Sequence, residues 1–198
     1  MSCRLNGVEM KRGLVALYTA LTLLANPALA DTEAAEAARA GDMKKLNFHA
    51  EPKAAGSEAF ETFEGEPASL AEYEGKWALV NFWATWCAPC REEMPTLSAL
   101  QKELGGNDFE VVTIATGRSP KPAMRDFFEE IGVDNLPTLR DPSSALAREM
   151  SVLGLPITVI LNPDGEEIAR LQGDADWSSE EALTVLRTLM GDEAEVEG

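Results

Sequence analysis

The sequence predicts an α/β sandwich in which helices pack on a mixed β-sheet, and three patterns carry that prediction. Apolar, strand-like runs alternate with amphipathic helical spacing between Trp77 and Met150. A turn signal, Asn162-Pro163-Asp164-Gly165, joins two further strands into a hairpin. An amphipathic helix then closes the domain at Met190. Strands alternating with helices favour parallel neighbours, and the hairpin adds antiparallel ones. No internal repeat and no second domain are visible.

Taken in chain order, residues 1–30 read as an export signal. Lys11 and Arg12 precede an uncharged, Leu- and Ala-rich run of 18 residues, Gly13 to Ala30, and Ala28-Leu29-Ala30 fits a small-x-small cleavage site before Asp31. That run stands at the lower edge of bilayer-spanning length, so an uncleaved anchor is the alternative, weakened by the Asn26-Pro27 break. Either reading places the domain beyond the inner membrane, in the periplasm, with membrane contact only if the segment stays uncleaved. Residues 31–59 are rich in Ala, Glu and Lys and are expected to form a polar extension or tether. It would hold a short helix over Asp31–Ala40 and a linker over Glu51–Gly56. His49, the sole histidine, falls there and is expected to be solvated.

The domain itself is expected to span residues 60–191. Phe60–Phe63 alternates, Gly65 offers a turn and Ala68–Leu70 returns, which predicts an N-terminal β-hairpin. Ser69 is a cap for a short helical turn ended by Gly75. Trp77–Trp83 is a nearly continuous apolar run, as in a central strand covered on both faces. Met94, Leu97, Leu100, Gln101 and Leu104 recur at helical spacing, and Gly105-Gly106 stops that helix. Phe109–Ala115 reads as a second buried strand, Pro122–Ile131 as a second helix, Asn135–Asp141 as a short extended segment and Ser143–Met150 as a third helix. Ile157–Leu161 and Glu167–Leu171 flank the hairpin turn, and Ser178–Met190, with Ser178 as its cap, is the last helix. Residues 192–198 form an acidic, frayed tail.

Charge and cysteines narrow the function. The formal charge of −17 becomes −19 once residues 1–30 are removed, leaving 14 Lys and Arg against 33 Asp and Glu. Such a surface repels phosphate backbones and anionic lipid, which argues against nucleic-acid binding. Of the three cysteines, Cys3 would leave with the signal, and Cys87 and Cys90 remain. A C-x-x-C pair closes a tiny loop and restrains little of the unfolded chain, so it is a poor staple and a better reagent.

Its position supplies the chemistry. Trp86-Cys87-Ala88-Pro89-Cys90 lies where a buried strand turns into a helix, so unpaired N–H groups and the positive end of the helix dipole point at Cys87. Both favour the thiolate and make Cys87 the nucleophile. Pro89 suits the first helical turn, where its missing N–H costs nothing. Cys90, one turn on and more buried, is the resolving thiol. Structural zinc needs four ligands and catalytic zinc three, and neither a third cysteine nor a nearby histidine is present in the domain, so no metal or other cofactor is expected. Glu93 lies on the helical face of Cys90 and either raises the cysteine pKa values and shuttles a proton, or is an exposed residue that favours the helix dipole, as Glu92 does. Proline at the start of an apolar strand, in Gly154-Leu155-Pro156-Ile157-Thr158, suits a position that cannot donate to the ladder. If the Leu155–Pro156 bond is cis, Leu155 backbone groups would stand beside the cysteines and pair with a substrate strand.

The stretch Asn81-Phe82-Trp83-Ala84-Thr85-Trp86-Cys87-Ala88-Pro89-Cys90-Arg91-Glu92-Glu93-Met94-Pro95 resembles the signature of the extracytoplasmic thioredoxin-like proteins of the TlpA/ResA/CcmG group. The similarity covers roughly Phe60–Gly191, and Gly173–Leu183 with Trp177 looks most like TlpA. The resemblance implies a thioredoxin-like three-layer sandwich, Cys87 as attacking and Cys90 as resolving thiol, Pro156 in cis, and Glu93 as the acidic residue that tunes the pair. It implies Trp86, Ala88, Pro89, Gly154 and Leu155 around the substrate. It further implies a periplasmic reductase, recharged by a membrane thiol-transfer protein, that keeps cysteines of cytochrome c or copper-site assembly factors reduced. Asn81 stands where cytoplasmic thioredoxin has a buried acid, which leaves Glu93 as the candidate proton shuttle. Three other readings stay open: an oxidant that introduces disulfides, a copper-binding chaperone on the same fold, and a peroxide reductase. The Ala-Pro dipeptide argues against the first, since it resembles reducing thioredoxin at about −270 mV rather than oxidants near about −120 mV.

Overall fold

Eight strands in one sheet and five α-helices realise the expected alternation, within residues 27–191, which the computed structural model describes. In chain order these are α1 (Pro27–Ala37), β1 (Leu46–Ala54), β2 (Phe60–Glu61), β3 (Pro67–Ala68), β4 (Trp77–Trp83), α2 (Ala88–Leu104), β5 (Phe109–Thr116), α3 (Lys121–Ile131), β6 (Leu139–Asp141), α4 (Ala145–Glu149), β7 (Ile157–Leu161), β8 (Glu166–Gln172) and α5 (Glu180–Met190). Two 3₁₀ turns, Gly41–Lys45 and Leu70–Tyr73, join them. Most of the expected export segment (residues 1–26) and the acidic tail lie outside the described residues.

The sheet order is β1-β8-β7-β4-β5-β6-β2-β3. The parallel pairs are β4 with β5 and β5 with β6; every other pairing is antiparallel. β4 is central because six of its seven residues are buried, and its two faces feed two cores. Leu79 and Trp83 pack with Met94 and Leu97 of α2, Phe127 of α3, Leu186 of α5 and Ala35 of α1. Ala78, Val80 and Phe82 face the other way, onto Leu146 of α4 and Met150 at its end, Leu70, and Phe60 and Ala68 of the hairpin. The result is three layers, helix–sheet–helix. Each fully buried leucine such as Leu97 contributes about 2 kcal/mol of transfer free energy.

Local signals behave largely as their chemistry dictates. Ser69 caps its 3₁₀ turn in a reciprocal box, accepting from the Ala71 N–H at 3.2 Å while its own N–H donates to Glu72 at 2.8 Å. Asn162 and Gly165 close the β7–β8 turn through a Gly165 N–H to Asn162 carbonyl bond of 2.9 Å, with Gly165 at φ +75°, a conformation that suits glycine.

Three expectations need correction. Residues 46–54 are no tether: β1 pairs with β8 from Leu46↔Leu171 to Ala54↔Glu166, across an irregularity between Phe48 and Lys53. An edge strand needs only one partner ladder and a few buried contacts, here Leu46 and part of Phe48, so its polar composition does not keep it off the sheet. His49 is accordingly not solvated; its Nε2 lies 2.7 Å from Glu167 Oε1 in a nearly buried contact. The last helix is capped by Ser179, whose hydroxyl accepts from the Ala182 N–H, while the Ser178 hydroxyl is turned back to donate to Asp176 at 2.6 Å. At the far edge of the sheet β3 is two residues long and opens on Pro67, and β1 carries Pro52.

Candidate active site

The corner between β4 and α2 places the two cysteines. Leaving the sheet at Trp83, the chain turns through an Ala84 carbonyl to Cys87 N–H bond of 3.0 Å, and Cys87 becomes the residue that caps α2. Its sulfur accepts the Cys90 N–H at 3.3 Å, so one of the free amides of the helix start is aimed at Sγ. Ala88 and Pro89 occupy the first turn, as the proline predicts. Cys87 and Cys90 form a disulfide with Cα atoms 5.3 Å apart. Cys87 is 5 % exposed and Cys90 fully buried, so Cys87 is the more accessible residue of the pair.

β7 brings the proline loop to the same end of the sheet. Register pairs Phe82 with Ile157, so Pro156 enters alongside the exit of β4. The Leu155–Pro156 peptide is cis, and Leu155 packs against both cores, one of which contains the two cysteines. Trp86 (66 % exposed) and Leu153 (93 % exposed) are the exposed large apolar side chains of the described surface, one just before Cys87 and one just before Gly154. Beside Cys87 runs a shallow groove of about 330 Å³ lined by Trp86, Ala88, Arg91, Glu92, Phe127 and Ile131, with the Arg91 guanidinium 4.1 Å over the Phe127 ring. Glu92 is exposed on its rim.

Glu93 is not the exposed first-turn residue of the second sequence reading; it is 2 % exposed, on the same buried side of α2 as Cys90. Asn81 of β4 donates Nδ2 to Glu93 Oε1 at 2.8 Å and to Thr158 Oγ1 at 2.9 Å. The Ala175 N–H and the Trp177 Nε1–H both donate to Glu93 Oε2, each at 3.3 Å. Burial drives the Glu93 pKa up to about 7, against the pull of these three donors, which favour the carboxylate. A group that exchanges a proton near neutrality therefore stands one turn from Cys90. Among the described residues no cluster of three His, Cys, Asp or Glu could hold a metal ion, and no helix is long and apolar enough to cross a membrane.

With this geometry in place, comparison with known proteins is decisive for the family. The AhpC/TSA family model matches residues 47–168, more than half of the chain. The chain belongs to the AhpC/TSA family. Within the range of AhpC/TSA-like sequences, it is 32% identical over 113 residues to the thiol-disulfide oxidoreductase ResA of Bacillus subtilis, covering 57% of this chain and 62% of that protein. Among solved structures it is similar to an exposed lipoprotein thioredoxin of Streptococcus pneumoniae (TM-score 0.56, 25% identity, 68% of this chain and 98% of that one). It is also similar to a thiol:disulfide interchange protein of the thioredoxin family from Chlorobium tepidum (TM-score 0.56, 26% identity, 70% and 99%). The fold is thioredoxin-like. The chain spans less than two thirds of the length of the ResA it matches.

In this AhpC/TSA-family chain, Cys87, Cys90, Glu93 and Pro156, the residues to which the sequence points, lie at one end of the sheet. The sequence does not disclose the donors that hold Glu93. In the sequence alone Asn81 stands only as a missing acid, and Trp177 only as a mark of resemblance. A tryptophan two residues beyond Ala175, in a loop that follows β8, was the available signal; the Ala175 N–H has no signal in the sequence at all.

Proposed function

We propose that this chain is a periplasmic thiol–disulfide oxidoreductase that reduces protein disulfides through Cys87 and Cys90. The observation that carries the reading is the asymmetry of the pair: Cys87 caps α2, accepts a helix N–H and is the more accessible residue, whereas Cys90 is fully buried on the same side of α2 as Glu93. The printed name of the Bacillus relative, a thiol-disulfide oxidoreductase, supports the same chemistry.

In the reduced enzyme the Cys87 thiolate attacks one sulfur of a substrate disulfide, and the other substrate sulfur leaves as a thiolate. Cys90 gives its proton to the Glu93 carboxylate and attacks Cys87 Sγ. The Cys87–substrate bond breaks, the second substrate sulfur leaves as a thiolate, and Cys87–Cys90 closes. Two electrons pass from the enzyme dithiol to the substrate, whose thiolates take up protons from solvent and from Glu93. No cofactor is required. Trp86, Ala88, Pro89, Gly154 and Leu155 line the approach, Leu155 offering backbone groups to an extended substrate segment. A membrane thiol-transfer protein returns the pair to its dithiol form, and cytochrome c or copper-site assembly proteins supply the disulfides. Residues 1–30 deliver the domain across the membrane.

The test is insulin-disulfide reduction with single variants. Cys87→Ser abolishes turnover, and Cys90→Ser accumulates substrate as a mixed disulfide that can be identified by mass spectrometry from periplasmic extracts. If Cys90 is the alkylatable thiol and Cys87 is inert, the roles are reversed. A reduction potential above about −150 mV would make the protein an oxidant instead.

A further inference from the structure

The 3₁₀ turn Gly41–Lys45 lies far ahead of the cysteines in sequence, yet it grips the loop that holds Glu93. Met43 is fully buried in the core that also contains Cys90. On the surface beside it, Asp42 Oδ2 accepts the Asp176 N–H at 3.2 Å, and Lys45 Nζ donates to the Asp174 carbonyl at 3.0 Å. Asp42 and Lys45 are themselves paired at 2.8 Å. The two contacts fasten the loop on either side of Ala175. Its N–H, together with the Trp177 indole one residue past Asp176, reaches Glu93 Oε2.

Both donors stand at 3.3 Å, the long end of a hydrogen bond, so a drift of a few tenths of an ångström would release them. We propose that the Gly41–Lys45 turn is a positioning clamp for Glu93: by fixing residues 174–176 it keeps two N–H donors on Oε2 and sets the pH at which this acid exchanges its proton. The proposal deepens the reading of Glu93 as the proton carrier for Cys90 and rests on it.

The charged and titratable groups around Glu93 make the clamp separable from plain electrostatics. Lys45 faces it from the turn and Asp174 from the loop; Cys87 and Cys90 stand on its own helix, and Asn81 and Thr158, from β4 and β7, are uncharged. Asp42 is partly exposed and anionic, so deleting its charge would by Coulomb's law lower the Glu93 midpoint. Deleting its grip on the Asp176 N–H frees the loop, removes donors that favour the carboxylate, and raises the midpoint. The two mechanisms have opposite signs.

The experiment uses the full chain in its disulfide form, so that the cysteines do not titrate. The Glu93 carboxyl ¹³C resonance, assigned by its loss in Glu93→Gln, is followed against pH. Asp42→Ala is expected to raise the midpoint by about half a pH unit or more, and Asp42→Asn, which keeps an acceptor, to return it toward the parent value. A midpoint that stays put or falls in Asp42→Ala overturns the clamp, and so does an equal rise in Asp42→Asn. Failure of the catalytic reading looks different: Glu93→Gln would leave the pH–rate profile of exchange unchanged, whatever Asp42 does to the titration.

Discussion

Two glutamates are buried to nearly the same degree and end in opposite electrostatic states. Glu93 is 2 % exposed and Glu167 is 3 % exposed. Burial pushes both upward in pKa. Around Glu93 every hydrogen-bond donor is neutral and the cation Lys45 acts only from a distance, and the group settles at about 7. Around Glu167 the Arg170 guanidinium donates twice, at 2.6 and 2.7 Å, and His49 lies at 2.7 Å; together they outweigh burial and hold the carboxyl below its ordinary 4.5. Desolvation sets the problem for a buried acid, and the charge of its partners decides the answer. One carboxyl is a fixed anion that ties β8 to β1, and the other is a group held by neutral donors, one turn from Cys90, whose pKa burial raises to about 7.

The sharpest way to break this contrast is to take away the cation. Arg170→Met leaves Glu167 buried and largely unanswered, and should destabilise the fold by about 3 kcal/mol in urea titrations at pH 7, with further loss from the Arg170 bond to the Met150 carbonyl. A loss below about 1 kcal/mol would mean that Glu167 escapes to solvent, and the contrast would fail.

Next comes the pH dependence of stability. The folded Glu93 carboxyl keeps its proton up to about 7 and an unfolded one releases it near 4.5, so the native state binds the extra proton between those values. Stability should therefore fall as pH rises from 4.5 through 7, by at most about 3 kcal/mol, and Glu93→Gln should flatten that slope. Glu167 has the opposite sign. Its folded pKa lies below 4.5, so its contribution is present above that pH and is lost on acidification through the lowered value; Glu167→Gln should remove an acid-side loss only. Equilibrium unfolding of the oxidised proteins from pH 3 to 8 reads both slopes, where the pH limits are about the range that brackets the two groups.

The smallest effect refines rather than tests the contrast. Trp177→Phe deletes one neutral donor from Glu93 and should raise its ¹³C midpoint by roughly half a unit to one unit, about the worth of one ordinary hydrogen bond, in keeping with its 3.3 Å length. An unchanged midpoint would assign the carboxylate to Asn81 and Ala175 alone.

What the sequence disclosed follows the same division between local and distant causes. β4 was legible because six of seven residues are buried and the run is short, and α2 because Met94, Leu97 and Leu100 recur on one face. The corner between them was legible because Pro89 and the cysteines carry their chemistry with them. β1 was not, since only Leu46 is fully buried in it and backbone pairing leaves no mark on composition. The partners of Glu93 were hidden for a related reason. They arrive from 12 residues before it and from 82 and 84 after it, and one is a main-chain N–H. The expected cap Ser178 gives way to Ser179 because Asp176, two residues before it, engages the Ser178 hydroxyl.

The margins of the sheet carry one more implication. Each outermost strand bears a proline, Pro52 in the nine-residue β1 and Pro67 in the two-residue β3, and β1 is broken in register as well. Neither side thus presents an uninterrupted row of free amides on which a foreign polypeptide could zip up. The two flanks of the sheet are thereby poor templates for adding another strand, and so for β-aggregation.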